Sequence, residues 1–315
     1  MSLCRNLWLG IVGVCLLATF TYTQSKTATA MSYLERGNQW LKKGNVERAI
    51  EDFSFAVASD PTLDQAYFNR GIARECKGDS EGALNDYSKA LQLQPQNIDA
   101  YLRRGVLYFQ QERWEEARRD FDQMIALNPR DARGWASRGI IQHRNGKYDA
   151  ALSDFSLALA HNPKLDEVWY NRAVTKQDQG NFTGALADYH QAIVLNPRYE
   201  RAFYNRGVVY LTLQQIEPAI RDFTRAIELN PRAAEAYANR GTAFSAQKKL
   251  DLALRDFDQA LGLNPQLADA WCNRGITYLM LDKLKEAEAD LARCRELGGA
   301  VKPELEQALR EARKR

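Results

Sequence analysis

The chain has 315 residues, 45% of them hydrophobic and 26% charged, and a formal charge of +3. That composition is neither disordered nor collagen-like. Arg5 and Lys26 are the only charged residues among the first thirty, so 41 basic side chains face 40 acidic ones in the rest. A nucleic-acid binder usually shows a basic excess, and none is present.

Residues 1–6 carry Arg5, and residues 7–20 are fourteen apolar or small uncharged side chains. A polar stretch follows, then Ala28-Thr29-Ala30. A basic start, an apolar core of this length and a small-residue site describe a secretory signal peptide. A spanning helix needs about 20 apolar residues. A membrane anchor therefore requires extending the run to residues 7–23. Cleavage after Ala30 is favoured over an uncleaved anchor, and removing residues 1–30 should cost the body nothing. Val12-Gly13-Val14 before Cys15 is no lipobox, so lipidation is not expected.

Seven prolines then fall at Pro61, Pro95, Pro129, Pro163, Pro197, Pro231 and Pro265, each 34 residues after the last. With proline as position 32, eight repeats run 30–63, 64–97, 98–131, 132–165, 166–199, 200–233, 234–267 and 268–301. Position 8 is glycine except at Ala173, and position 20 is alanine throughout, from Ala49 to Ala287. Position 4 is always aromatic, and position 24 is aromatic from Phe53 to Phe257, with Leu291 in the last repeat. Small residues at 8 and 20 let two antiparallel helices approach, and the aromatics should fill the space beside them. Gly44, Gly78, Gly146 and Gly180 at position 15 break the hairpin. Pairs such as Asn128-Pro129 end helix B, because a residue before proline is pushed out of helical geometry. Pro218 is tolerated in the first turn of a helix.

These residues resemble the tetratricopeptide repeat (TPR) family over residues 30–301. The resemblance implies an all-α, right-handed superhelical solenoid of eight helical hairpins, with the A helices lining a concave groove. Residues 302–315 read as a capping helix, with Leu305, Ala308, Leu309 and Ala312 as its apolar stripe. No comparable cap precedes repeat 1, which leaves its outer face less protected.

Position 7 is arginine in all eight repeats, from Arg36 to Arg274, and position 23 is aspartate in all eight, from Asp52 to Asp290. An arginine row could bind an anion. Eight matched acids favour a structural pair instead, stapling helices within or between repeats.

In this family the groove-facing positions of helix A are about 2, 5, 6, 9, 12 and 13. Position 6 is asparagine at Asn69, Asn171, Asn205, Asn239 and Asn273. The resemblance implies that such a row holds the backbone of an extended peptide, since each amide offers a donor and an acceptor; a solvated role is the alternative. Position 9 is mostly β-branched, and Tyr170 and Tyr204 at position 5 are candidate anchors. Arg103, Arg133, His143 and Arg144 form a basic cluster, answered by Glu167 and Asp178, which could orient a charged peptide. The alternative is a solvated mixed face. The family's carboxylate clamp is not present in its known form. Ile276, Leu279 and Met280 make an apolar patch suited to a partner, to self-association of the C-terminal repeats or to the chain's own cap.

No phosphate-binding, dinucleotide, zinc-protease or hydrolase motif occurs, and His143, His161 and His190 have no metal spacing. No catalysis, cofactor or nucleic acid is expected. Beyond the first thirty residues the cysteines are Cys76, Cys272 and Cys294, with no C-x-x-C spacing, and they read as free thiols. The whole points to a scaffold that binds a partner protein or peptide in its groove, outside the cytoplasm or at a membrane. A self-associating structural solenoid without a peptide ligand is the alternative.

Overall fold

A computed structural model describes residues 27–301 and 303–312. The expected export or anchor segment, residues 1–26, lies outside the described residues. Every regular element among those described is α-helical. Helix α1 covers 27–42 and folds back on α2 (Val46–Ser59). Next come α3 (Asp64–Lys77) with α4 (Ser80–Leu93) and α5 (Ile98–Gln110) with α6 (Trp114–Leu127). Repeat 4 supplies α7 (Ala132–Arg144) and α8 (Tyr148–His161). The hairpins α9 (Asp166–Asp178) with α10 (Phe182–Leu195) and α11 (Glu200–Thr212) with α12 (Ile216–Leu229) follow. The last two are α13 (Ala234–Ala246) with α14 (Leu250–Leu263) and α15 (Ala268–Met280) with α16 (Leu284–Glu296). Helix α17 (Pro303–Ala312) closes the chain. The protein divides into two compact units, one ending at Ile141 and the other starting at Gln142, so α7 contributes to both.

The hairpin interior follows from its small residues. All eight position-20 alanines are fully buried. A Cβ on Gly71 would lie 2.6 Å from the Tyr87 ring, and one on Gly207 2.8 Å from Phe223. The ring at position 24 of helix B thus sits directly on the backbone of helix A. The residue before each of the seven prolines is extended, with φ between −129° and −143°. Pro218 occupies the third residue of α12.

At position 15 the turn has the same backbone in every repeat. Gly44, Gly78, Gly146 and Gly180 have φ of 71–84°, and Glu112, Gln214, Lys248 and Asp282 are also left-handed, at 56–60°. Glycine is therefore not what makes the turn. Closing the hairpin demands a left-handed residue, and four repeats accept the steric cost of a side chain there.

The arginine and aspartate of each repeat do form a staple. In seven repeats the guanidinium makes two parallel hydrogen bonds of 2.6–2.9 Å to the carboxylate of its own helix B. Arg138 and Asp154, the eighth pair by sequence, fall one in each unit. All eight aspartates are buried, with 3–6% of their surface exposed. Burial pushes the Asp120 carboxyl above its ordinary range, against the pull of Arg104. A third guanidinium nitrogen reaches position 25 of the preceding helix B, as in Arg70 to Ser54, Arg138 to Asp122, Arg240 to Thr224 and Arg274 to Asp258. One side chain thus ties both the hairpin and the joint between hairpins.

The position-4 aromatics pack against the buried alanines and rings of the hairpins, as at Tyr33, Tyr101, Trp169 and Tyr237, and they have a second place that the sequence did not suggest. Each lies under the arginine three residues later, with the guanidinium carbon 4.7–5.8 Å from the ring centre in all eight repeats. Where the ring is tryptophan, at Trp135, Trp169 and Trp271, its N–H also donates to the carbonyl of the preceding proline, at 2.8–2.9 Å. The ring shields the ion pair from water and holds the guanidinium plane in place.

Both ends differ from expectation. The inner faces of later A helices bury position 3 (Ala66 to Ala270) and position 10 (Ala73 to Thr277), but repeat 1 has Ser32 and Gln39 there, both exposed. Its outer face is therefore polar where the later repeats are buried. Helix α1 is already formed at residues 27–30, where Ala30 is fully buried and the Thr27 hydroxyl donates to Asp60 at 3.3 Å. Cleavage after Ala30 would therefore cut a turn from α1 and is not free of cost to the repeat body. Cys272 and Cys294 are not free thiols: they form a disulfide, with their Cα atoms 5.3 Å apart, within the usual span of such a bond. Cys76 is free and exposed, as expected. Leu309 and Leu305 of α17 pack on the last hairpin with Leu279, as the cap reading requires.

Two stability outcomes follow. Arg240→Ala strands buried Asp256 without a cation and should cost about 3 kcal/mol in chemical denaturation. Arg172→Ala should cost less, because Lys176 stays 2.7 Å from Asp188; equal or negligible losses would refute the staple. A Cβ on Gly180 meets nothing within 4 Å, so Gly180→Ala reports backbone strain alone. It should lower stability by roughly 1 kcal/mol, and Lys248→Gly should raise it, as read from melting curves.

Candidate functional site

The staple residues occupy one side of each A helix, and the positions between them turn to the opposite side. In the first unit this side forms a concave cavity of about 500 Å³. Phe68 and Ile72 of α3 and Leu102 and Val106 of α5 make its apolar floor. These are positions 5 and 9 of two consecutive repeats. Charged residues rim it: Arg103 donates to Glu75 at 3.2 Å, and Arg133 to Asp99 at 2.8 Å. Each pair bridges successive A helices. Arg133 is also held by Asp131 at 2.7 Å. The Tyr87 hydroxyl donates to Glu75 at 2.7 Å, and burial together with that carboxylate raises its pKa well above the ordinary phenol value.

Of the residues singled out by sequence, Arg103 and Arg133 therefore share one cavity, already matched by acids. Asn69 donates to Asn38 of the preceding repeat at 2.7 Å. In the second unit Asn205 donates to the Tyr170 hydroxyl at 2.9 Å, and Asn239 to that of Tyr204 at 3.0 Å. Asn273 donates to the Thr242 hydroxyl at 3.1 Å. Asn171 sits half-buried in the same register, and its carbonyl accepts from the buried Thr175 hydroxyl. His143 contacts that hydroxyl through Nδ1 at 3.0 Å and lies 3.5 Å from Asp178 through Nε2. Arg144 is exposed.

The asparagine row is thus a ladder that links neighbouring A helices, rather than a set of free amides. It keeps binding capacity. Burial raises the pKa of the Tyr170 and Tyr204 hydroxyls, so both stay protonated at neutral pH. Each accepts from an asparagine and retains its own proton to donate, while the asparagine oxygen remains an acceptor. The Tyr170 ring lies 5.0 Å from Tyr199 and 5.9 Å from Tyr189, which fixes its direction.

Sequence reasoning missed Glu75 and Asp99 as partners of the groove arginines. Their separations of 28 and 34 residues match contacts between adjacent repeats, but nothing in either repeat alone singles them out. Among the described residues no cluster of histidine, cysteine and carboxylate side chains could hold a metal ion. None of their helices is long and apolar enough to cross a membrane.

Comparison with known proteins agrees with this architecture. Residues 105–168, 200–232 and 234–267 match profiles described as tetratricopeptide repeat, and residues 76–112 and 177–214 one described as TPR repeat. A tetratricopeptide repeat protein of Parabacteroides merdae is 22% identical, with a TM-score of 0.60 over 79% of this chain and 99% of its own. PilF of Pseudomonas aeruginosa is 19% identical, with a TM-score of 0.58 over 66% of this chain and 94% of its own. YrrB, described as a TPR protein with an unusual peptide-binding site, is 22% identical, with a TM-score of 0.52 over 62% of this chain and 98% of its own. Likeness at these identities is one of fold. No curated protein gives a significant match. With its 34-residue helical hairpins and the profile matches between residues 76 and 267, this chain belongs to the tetratricopeptide repeat family of non-enzymatic protein-interaction scaffolds.

Proposed function

We propose that this protein is an exported or membrane-anchored scaffold whose A-helix grooves each hold an extended segment of a partner protein, supporting complex assembly outside the cytoplasm or at a membrane. The cavity over Phe68, Ile72, Leu102 and Val106 carries the proposal: it is apolar at the floor, polar at the rim and built from the groove positions of two consecutive repeats. Such a surface suits apolar side chains of an extended chain, with backbone groups left to the rim. In the second unit Tyr170, Asn171, Tyr204, Asn205, Asn239 and Asn273 would supply the donors and acceptors. Asn69, Arg103, Arg133, His143 and Arg144 would orient charged groups at the price of opening the internal pairs they now make. The peptide-binding site described for YrrB lends this reading support by likeness of fold.

The location outside the cytoplasm draws on two features. Residues 1–30 have the pattern of an export or anchor segment. The Cys272–Cys294 disulfide suits an oxidising compartment. The self-associating alternative loses part of the Ile276, Leu279 and Met280 patch, because Leu279 is packed against the cap cluster and, of the three, only Met280 stays well exposed, at 49%.

A random peptide library panned against the full chain tests the groove. Enriched peptides should lose at least about tenfold in affinity to Val106→Glu, which places a charge on the apolar floor, or to Asn239→Ala if they sit in the second unit. Phe55→Lys, on the exposed side of α2, should leave them unaffected. A library that yields no binder, or binders indifferent to both groove variants, would overturn the reading.

A further inference from the structure

Repeat 8 departs from its siblings at places that the fold brings together. Cys272 stands at position 5, Cys294 at position 27, where the other repeats have alanine or methionine, and Gly298-Gly299 replaces the residue-proline pair. The two cysteines are bonded, and Cys294 is fully buried. The chain leaving α16 turns at Gly298, with φ +80°, and passes so close over Cys294 that a Cβ on Gly299 would overlap its sulfur. The next carbonyl, of Ala300, lies 3.9 Å from the Cys272 sulfur. That sulfur carries no proton in the disulfide, so the contact is one of packing. Val301, Leu305 and Leu309 then complete a single cluster around the cystine.

Helix α17 packs on the last hairpin through this cluster. It has ten residues, too few to be a stable helix by itself. One ion pair that it makes, Arg295 with Glu306 at 3.1 Å, is exposed on both sides and contributes little. A cleft of about 380 Å³ remains between α16 and α17, beside Leu291 and Leu309. The α15–α16 hairpin, by contrast, keeps its own staple, Arg274 with Asp290, and the close approach of Leu291 to Gly275.

We propose that the Cys272–Cys294 disulfide is a redox-sensitive seat for the C-terminal cap: oxidised, it holds α17 on repeat 8, and reduced, it releases α17 while the hairpin stays folded. A dithiol reductant attacks one sulfur and closes on itself. Two electrons and two protons pass to the protein, which gains two cysteine thiols, and the reductant leaves as a cyclic disulfide. Two unbonded thiols need full van der Waals separation, so the sulfurs must part beneath the turn at Gly298-Gly299 that passes over Cys294. The least anchored neighbour, the turn into α17, is the element that yields. Because that turn covers Cys294, a reductant reaches the bond as the cap lifts, so release and reduction favour each other. A chain in a reducing compartment would carry an open end, and oxidation would close it.

Hydrogen exchange on the full chain, with and without dithiothreitol, tests this independently of the groove. Reduction is verified by alkylation of both cysteines. Amides of α17 should exchange at least about tenfold faster once reduced, while those of α15 and α16 change by less than about twofold. A double variant, Cys272→Ala with Cys294→Ala, should give one α17 rate whether or not the reagent is present. The proposal fails if reduced α17 keeps its protection, if α15 and α16 loosen equally, or if the double variant responds to the reagent.

Discussion

The arginine at position 7 carries three duties with one side chain. Two of its nitrogens meet a buried aspartate on the partner helix, a third reaches the preceding hairpin, and its flat face lies on the aromatic ring one turn back. A carboxylate taken out of water is costly unless it is met in full, so each buried aspartate fixes where the guanidinium must be. The guanidinium then fixes the distance between helices A and B. Lysine could not substitute, because a point charge offers neither the parallel fork nor the stacking face. The third nitrogen extends the same constraint to the next joint, accepting serine, threonine or aspartate as its partner.

This arrangement separates stability from recognition. In a helix, residues three and four apart share a face, so positions 3, 7 and 10 are committed to packing while 5, 9 and 12 turn elsewhere. Position 7 is arginine throughout and position 3 is small in most repeats, while positions 5 and 12 vary widely. Groove chemistry can change from Phe68 and Leu102 in one unit to Tyr170 and Tyr204 in the other without disturbing a single staple. The ends obey the same division. Ser32 and Gln39 of repeat 1 stand at positions that later repeats bury, and at repeat 8 a cystine with a short helix covers the face of the last hairpin.

Within the groove, charges are met internally before any ligand arrives. Arg103 answers Glu75, Arg133 answers Asp99 and Asp131, and His143 lies against Asp178. A charged ligand would exchange one partner for another, which contributes more to selectivity than to affinity. Net attraction is left to the apolar floor and to the hydroxyl and amide groups of the ladder.

The period of 34, the two helices per repeat, the arginine–aspartate match and the cap were all legible in the sequence. Each is local or recurs at a fixed separation, and recurrence makes a contact visible without coordinates. The left-handed turn at Glu112, Gln214, Lys248 and Asp282 was not legible, because there the tertiary closure of the hairpin overrides residue preference. Nor was the place of the position-4 rings under the arginines, or the polar face of repeat 1, which shows only once the packing positions are known. The Cys272–Cys294 bond and the Glu75–Arg103 pair are single events in an otherwise periodic chain. What repeats was written in the sequence; what happens once depended on which side chains the stacked helices brought within reach.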